Sequence, residues 1–422
     1  MNVLVIVPNF PNRIKEYLIL PSLELCIIAQ ILKNNFHNID MIDMKINDYK
    51  VEDLNKLLLQ KNPDIILIDD IPETHCNTKK IIKLLREKYG KKVKIGIRGE
   101  LVSFEPEMIM SRNEDLDFGL RYDDDFSLLN YINNIDNLEN VKNIVYRDDD
   151  NKIIVTDRQI NEYDLDSLPL PYRELYDLEK YLKRDSETIV RSSRGCPGNC
   201  LFCIKTKMEK FKVFSMRRFC DEIETMQKVG FKTFFFSDDT FAFSIKRLLE
   251  FKEEIEKRNM EVKWTSNIRI KDITEEKIKL MKELGAYRVF VGIETINNNA
   301  SKIIGKNLRK EEILEKIRIL KDNDMEFHAS FILGNPDDTE EDLENTINFV
   351  KEINPNIVTF NLIKIYPGLK LYSDPEKYGM IMADKYWFEK DEWTSKVVMG
   401  TKNLPPERLE YWSRKMLFEF IK

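Results

Sequence analysis

Three closely spaced cysteines are the residues of this chain whose types and spacing point most directly to chemistry. Cys196, Cys200 and Cys203 follow the pattern C-x3-C-x2-C. This spacing on a loop lets three thiolates bind three irons of a cubane cluster. No fourth cysteine follows nearby, so one iron would keep an open coordination position, as a catalytic metal centre requires. Glycines and a proline within the segment favour a tight loop over a helix.

The alternative for this loop is a structural zinc site or three thiols without a ligand. Zinc sites favour paired C-x2-C knuckles with four ligands, and the segment contains one such pair. The three histidines of the chain lie far away in sequence and offer no evident fourth ligand. A disulfide framework is excluded because such frameworks are typical of short secreted chains. The other three cysteines, Cys26, Cys76 and Cys220, are scattered along the chain.

Charge and hydropathy exclude several classes of protein. The 422 residues include 67 basic and 73 acidic side chains and carry a net charge of −6. This balance argues against a general polyanion binder, so no nucleic-acid partner is expected. No apolar run approaches the roughly 20 residues that span a bilayer, and the first residues lack the features of a secretory signal. We expect a cytoplasmic, globular protein of two or three domains.

The elements around the cysteines predict four segments. Residues 1–135 alternate strand and helix, which predicts a flavodoxin- or Rossmann-like parallel sheet with its ligand at the carboxyl ends of the strands. Residues 136–185 are polar, with a small strand pair over 143–155 and then an extended, proline-containing linker. Residues 186–375 contain six strand–helix repeats, as in a partial (β/α)6 barrel, and 376–422 form a short helical C-terminal segment. The overall fold class is α/β.

Individual elements follow from hydrophobic periodicity and capping signals. In the first segment we predict strands at 3–7, 38–42, 64–68 and 93–97, and helices at 22–32, 51–59 and 78–88. In the barrel we predict strands at 188–191, 233–236, 261–264, 288–293, 328–332 and 357–363. One barrel helix should end at Gly230, another should run from Thr274 to Gly285, and Thr339 with Asp342 should form a capping box.

The order of these motifs resembles the radical S-adenosylmethionine (SAM) superfamily, and within it the group with an N-terminal cobalamin-binding domain. The segment Ser193-Arg194-Gly195-Cys196-Pro197 is similar to the family's cluster-loop entry, and Leu165-Asp166-Ser167-Leu168-Pro169 to its linker. The resemblance covers residues 1 to about 375. It implies that SAM binds the open iron through its amino and carboxylate groups. An electron from the reduced cluster then cleaves SAM to a 5′-deoxyadenosyl radical.

The resemblance also implies which strand ends contact SAM. Phe202 matches the family's aromatic position beside the adenine, and the acidic Ser237-Asp238-Asp239 follows the strand whose end binds the amino group. Ser266 and Arg269 resemble the ribose and carboxylate contacts, because arginine can bind a carboxylate through two hydrogen bonds. Glu294 ends Gly292-Ile293-Glu294-Thr295, which is similar to the family's G-I-E-S element, and Gly334 belongs to its adenine-side element. No catalytic residue can be assigned.

The match to a cobalamin site is less complete. Pro8 and Asn9 resemble the loop after the first strand of that domain, and the loops beginning at Asp70 and Arg98 would contact the corrin. Arg98-Gly99 stands where the family has a Gly-Gly pair, so the arginine side chain could obstruct the cofactor. No D-x-H-x-x-G motif marks a lower cobalt ligand. His75, in the loop after the third strand, is interpreted as a solvent or turn residue.

Three further groups receive structural interpretations. Cys220 lies beside the apolar face of a helix and should be a small core residue, with a hydrogen-atom donor as the alternative. The aromatic residues of Tyr386-Trp387-Phe388 and Trp393 should pack the C-terminal segment onto the barrel, with a role in lining the substrate mouth as the alternative. Gly305-Lys306 lacks the other residues of a phosphate-binding loop and is interpreted as an ordinary turn.

The resemblance therefore implies a radical SAM enzyme with a [4Fe–4S] cluster, SAM and cobalamin, which methylates an unactivated carbon of a small-molecule or peptide substrate. A reductase, flavodoxin or ferredoxin would supply the electron. One alternative is a cobalamin-independent epimerase, dehydratase or rearrangement enzyme with a degenerate first domain. Another is a non-catalytic iron–sulfur protein. A methylthiotransferase would carry three further cysteines in the first domain, and this chain has too few.

Overall fold

The computed structural model describes residues 1–11, 19–122, 124–160, 162–184, 187–390 and 397–420. The chain folds as two compact units. The first comprises Met1–Asp185 together with Tyr386–Thr394, and the second comprises Ser186–Lys385 together with Ser395–Lys422. Among the described residues, no helix combines the length and the apolarity needed to cross a membrane.

The described part of the first unit contains seven strands: β1 (Asn2–Val7), β2 (Asn38–Asp43), β3 (Ile65–Asp69), β4 (Lys94–Arg98), β5 (Phe118–Leu120), β6 (Ile144–Arg147) and β7 (Ile153–Val155). They form one sheet in the order β2-β1-β3-β4-β5-β6-β7. The first five strands are parallel in the flavodoxin-like order 2-1-3-4-5, and β6 and β7 are antiparallel. The predicted strand pair near residue 150 forms β6 and β7, but it extends this sheet.

The helices of the first unit follow the predicted alternation with one exception. The predicted helix at 51–59 is only a 3-10 turn, Val51–Asp53, and one α-turn, Leu54–Leu57. Leu54 and Leu58 are buried but Leu59 is exposed, so the apolar face is too narrow to hold a longer helix. The other α-helices are Leu23–Asn34, His75–Tyr89, Glu100–Phe104, Pro106–Arg112, Ser127–Asn133 and Leu178–Arg184, and the other 3-10 turns are Gly90–Lys92, Leu138–Asn140, Leu165–Ser167 and Arg173–Leu175.

Six parallel strands in chain order form the partial barrel of the second unit. They are Glu187–Val190, Thr233–Phe236, Lys263–Ile268, Ala286–Glu294, Glu326–Leu333 and Ile357–Leu362. The first and sixth strands are edges, so the barrel is open on one side. Phe236 and Trp264 stack with ring centroids 4.5 Å apart in the core between strands and helices. The predicted half-barrel is therefore confirmed.

The barrel helices begin and end at the predicted signals. Gly230 adopts a left-handed conformation after Met216–Val229, Thr274 caps Glu275–Glu283, and Thr339 forms the expected capping box with Asp342. The remaining helices are Lys205–Met208, Ile245–Arg258, Asn298–Ile303, Lys310–Asp322, Glu340–Ile353, Lys370–Ser373 and Pro406–Phe420, with 3-10 turns at Ile270–Asp272 and Glu376–Tyr378.

The C-terminal segment divides between the two units. Met380–Met382 pairs with Met399–Thr401, and the helix Pro406–Phe420 buries Leu409, Trp412 and Met416 in the second unit. Residues 386–390, which we call the return segment, belong instead to the first unit and contain the 3-10 turn Trp387–Glu389. The prediction that these aromatic residues pack onto the barrel is therefore wrong, and Trp393 lies outside the described residues.

Candidate functional site

The cysteine loop is fixed at its entry by one buried carboxyl group. Asp238 accepts hydrogen bonds from the Ser192 backbone N–H at 3.0 Å and from the Ser192 hydroxyl at 2.8 Å. It also accepts one from the hydroxyl of Ser193. Burial raises the pKa of Asp238, and these donors partly offset that effect. Asp238 therefore holds the backbone that leads into the loop.

The loop itself is a compact turn that leaves its three thiols partly accessible. Gly195 has a φ of +69°, and a Cβ there would lie 2.9 Å from the carbonyl oxygen of Lys210, so glycine is required. The Gly198 backbone N–H donates to the Cys196 sulfur at 3.3 Å. None of the three cysteines forms a disulfide, and all three are half-buried. Burial raises the pKa of the Cys200 thiol, and the charge of Lys306 partly offsets the shift.

Opposite the loop, the fourth barrel strand ends in a bulge. Its pairing with the fifth strand shifts between Gly292 and Glu294, and Glu294 has a φ of +71°, which is uncommon for a residue with a side chain. A Cβ on Gly292 would lie 2.3 Å from Oε1 of Glu294. The bulge and the glycine therefore place the Glu294 carboxylate over the strand end, inside the barrel.

The loop and the strand ends enclose a cavity of about 550 Å³. Seven of the residues predicted for cluster and SAM line it: Cys196, Cys200, Cys203, Phe202, Asp239, Arg269 and Glu294. Four others predicted as SAM contacts do not line it: Ser237, Asp238, Ser266 and Gly334. Asp238 is engaged with the loop entry, and a Cβ on Gly334 would lie 2.7 Å from Leu409 of the C-terminal helix. The pocket thus contains both acidic and basic groups beside three thiols.

Some pocket residues were missed by the sequence analysis. Lys306 and His328 line the cavity, although the first was interpreted as part of an ordinary turn and the second as remote from the cysteines. His328 contacts the Thr359 hydroxyl at 3.1 Å, and burial lowers the pKa of its imidazole. The signal that could have found His328 is its third position in a barrel strand, since alternate strand residues face the lumen.

In the first unit, the residues predicted to contact cobalamin lie at the carboxyl ends of β1, β3 and β4. Pro8 and Asn9 follow β1 directly, and the Asn9 backbone carbonyl accepts a hydrogen bond from Asn77 at 2.9 Å. Arg98 is buried and donates to Asp69 at 2.6 Å. These two residues are in register on adjacent strands, so their side chains point to the same face of the sheet.

The position of the Arg98 side chain decides whether this residue would obstruct a corrin at the strand ends. The ion pair with Asp69 directs the Arg98 guanidinium to a face of the sheet, so the side chain does not have to cross the strand end. Gly99 is required for packing inside the protein, because a Cβ there would lie 1.7 Å from the Asp70 backbone oxygen. Arg98 is therefore held by Asp69, and the obstruction expected from its side chain is not required.

His75 is placed differently from the prediction. It begins the helix His75–Tyr89 and is fully buried, so its interpretation as a solvent or turn residue is wrong. Its Nδ1 contacts Asp70 Oδ2 at 2.8 Å, and its ring packs edge-on against Phe388 of the return segment at 5.6 Å. His75 is buried because Phe388, more than 300 positions later in the chain, packs against it. No local sequence pattern indicates such a contact.

We expect Gly99→Ala to destabilise the first unit strongly. Gly99 has a φ of +139°, and a Cβ there would lie 1.7 Å from the Asp70 backbone oxygen. Backbone must move to relieve this overlap, at a cost of about 2 to 4 kcal/mol. Thermal unfolding checks the prediction. Gly90→Ala is the matched control, because Gly90 also has a positive φ, +58°, but no atom lies within 4 Å of the added Cβ. Equal losses in the two variants would contradict the steric argument.

Comparison with known proteins defines the class. Residues 13–125 match the model of the B12 binding domain, and residues 190–350 match that of the radical SAM superfamily. The chain therefore contains a radical SAM domain preceded by a B12-binding domain, and it is an enzyme. The radical SAM domain uses a [4Fe–4S] cluster and SAM, and the B12-binding domain uses cobalamin. The half-buried thiols of the cysteine loop fit the cluster.

Particular relatives extend over nearly the whole chain. An uncharacterized methyltransferase of Pyrococcus horikoshii is 25% identical over 100% of this chain and 92% of its own length. The anaerobic magnesium-protoporphyrin IX monomethyl ester cyclase of Rubrivivax gelatinosus is 26% identical over 92% of this chain and 72% of its own. The radical SAM methyltransferase TsrM of Kitasatospora setae, solved with cobalamin and a [4Fe–4S] cluster, has the same fold, with a TM-score of 0.78 at 13% identity, covering 100% and 89% of the two chains.

Proposed function

We propose that the chain is a cobalamin-dependent methyltransferase that acts on an unactivated carbon of a small-molecule or peptide substrate. The observation that carries this proposal is that one chain combines a B12-binding domain with a pocket where three thiols face paired charges. When bound, cobalamin supplies the carrier of the methyl group. Asp239 and Glu294 suit the amino group of SAM, and Phe202 suits a planar ring. A reductase, flavodoxin or ferredoxin supplies the electron.

A second candidate is a radical SAM enzyme that transfers no methyl group. The similarity to a cyclase over 92% of this chain favours this alternative. In that case SAM would yield 5′-deoxyadenosine and methionine but no S-adenosylhomocysteine, and the product would be an epimer, a dehydrated compound or a rearranged one. The two candidates therefore differ in the fate of SAM, which can be measured without knowing the substrate.

We expect the reduced protein, reconstituted with iron, sulfide and hydroxocobalamin, to convert SAM to S-adenosylhomocysteine in a burst of about one equivalent per bound cobalamin. The reason is that a single methyl group can be loaded on the carrier when no acceptor substrate is present. Chromatography of the quenched reaction measures both nucleosides. Protein reconstituted without hydroxocobalamin is the control and should give no burst. Formation of 5′-deoxyadenosine with no burst in either sample would contradict methyl transfer and favour the second candidate.

A further inference from the structure

Lys306 was interpreted as part of an ordinary turn, yet the turn packs directly against the cysteine loop. The Leu201 backbone N–H donates to the Ile304 carbonyl at 3.0 Å. A Cβ on Gly305, which has a φ of +81°, would lie 3.0 Å from the Asn199 carbonyl oxygen. The glycine therefore allows close approach of the two backbones, and the next residue enters the pocket beside the cysteines.

The ammonium group of Lys306 is held in the pocket by two defined contacts. Its Nζ donates to the Gly292 carbonyl at 3.0 Å and lies 3.2 Å from Oε1 of Glu294. It also lies 5.9 Å from the centre of the Phe202 ring. The lysine side chain is only 16% exposed. An ammonium has three N–H donors, so these two oxygen contacts leave a third donor for a ligand of the cavity.

The other cations that line the cavity are less suited to a ligand anion. Arg269 directs its Nε and one terminal nitrogen to the carboxylate of Asp272, at 2.6 and 3.0 Å. This two-pronged pair uses the geometry through which arginine would otherwise bind a ligand carboxylate. Lys271 lines the cavity but is exposed, so its ammonium keeps its hydration. Lys306 is the more buried of the two cations near the cysteines, with a side chain 16% exposed against 36% for Arg269.

We infer that Lys306, and not Arg269, is the residue that binds the carboxylate of SAM, with Gly292 and Glu294 as the groups that position it. SAM carries a carboxylate and an amino group, and Lys306 and Glu294 provide a cationic donor and an anionic acceptor for these two groups side by side. A partly buried charge-assisted hydrogen bond is worth enough to change affinity about tenfold to a hundredfold when one partner is removed. The assignment concerns SAM binding and does not depend on the methyl-transfer proposal.

The test compares two ligands that differ only in the carboxylate: SAM and decarboxylated SAM. Equilibrium dialysis of cluster-loaded protein gives the affinity for each. We expect Lys306→Met to weaken SAM binding at least tenfold and to change the affinity for decarboxylated SAM less than twofold. Lys306→Arg should recover part of the preference for SAM. Lys302→Met, an exposed lysine of the preceding helix, is the matched control and should bind both ligands as the wild type does.

Iron content is measured on every variant, so that loss of the cluster is not mistaken for loss of SAM binding. If Lys306→Met does not hold iron, Lys306→Gln, which keeps a hydrogen-bond donor, replaces it in the same comparison. An equal loss for both ligands would mean that Lys306 acts only through the loop and would overturn the inference. No loss for either ligand would also overturn it. So would a selective loss of SAM binding in Arg269→Met or Lys271→Met.

Discussion

Replacing Cys196, Cys200 or Cys203 with alanine should abolish the cluster and the cleavage of SAM. Each thiolate binds a separate iron, so a cubane with two remaining protein ligands is not retained. The fold should survive, because the three side chains are only half-buried and belong to a loop. We expect loss of the brown absorption and of nearly all bound iron, with no 5′-deoxyadenosine above background and an unchanged circular dichroism spectrum.

Cys220→Ala is the matched control for these variants. Cys220 is fully buried in the helix Met216–Val229, and burial raises the pKa of its thiol to about 12, so it is a core residue as the sequence predicted. Its replacement should cost about 1 kcal/mol of stability and leave the iron content unchanged. Formation of 5′-deoxyadenosine by the triple variant of the loop would refute the cluster assignment.

Asp238→Ala should have the largest effect on the stability of the second unit. The variant leaves one backbone N–H and two hydroxyl groups, from Ser192 and Ser193, without their acceptor in a buried site. The cost of such unsatisfied groups adds up to about 3 to 5 kcal/mol. In a unit of this size, that corresponds to a decrease of about 6 to 20 °C in the melting temperature. Calorimetry of the apoprotein measures it, and reconstituted iron should also decrease.

The neighbouring Asp239→Ala separates stability from ligand binding. Asp239 lines the cavity and is only partly buried, so we expect a change in stability below about 1 kcal/mol and weaker binding of SAM. The sequence alone predicts the same role for both acidic residues. If Asp238→Ala melted like the wild type but bound SAM poorly, that shared role would be correct and the structural one would be wrong.

The sequence predicted an element correctly wherever residues close together in the chain determine that element. The apolar run that forms β1, the capping box at Thr339 and the glycine after Val229 each determine an element through neighbours in sequence. The spacing of the three cysteines likewise indicates a metal cluster from a short stretch of sequence. The bulge at Glu294 and the pairing of Arg269 with Asp272 depend on the detailed path of the backbone. The sequence therefore could not distinguish the strand-end residues that line the cavity from those that do not.

Contacts distant in sequence account for the remaining differences. Lys306 enters the pocket because its turn packs on a loop about 100 residues earlier. His75 is buried because Phe388 covers it. Such pairings follow from the topology of the whole chain, and a single sequence contains no periodic signal for them. The pattern of charges did not help either, because the sequence around Arg98 is the same whether its side chain fills a cavity or pairs with Asp69.

The return segment determines when the first unit can finish folding during synthesis. Trp387 and Phe388 are buried in the first unit, and Glu389 lies 2.8 Å from Arg112, whose guanidinium stacks on Tyr386 at 3.9 Å. The ribosome adds these residues about 200 positions after the N-terminal part of that unit ends. At roughly 5 to 20 residues per second, the delay is on the order of 10 to 40 s. During that interval the nascent first unit has His75 without its aromatic cover, so its folding is completed only after the entire barrel has been synthesised.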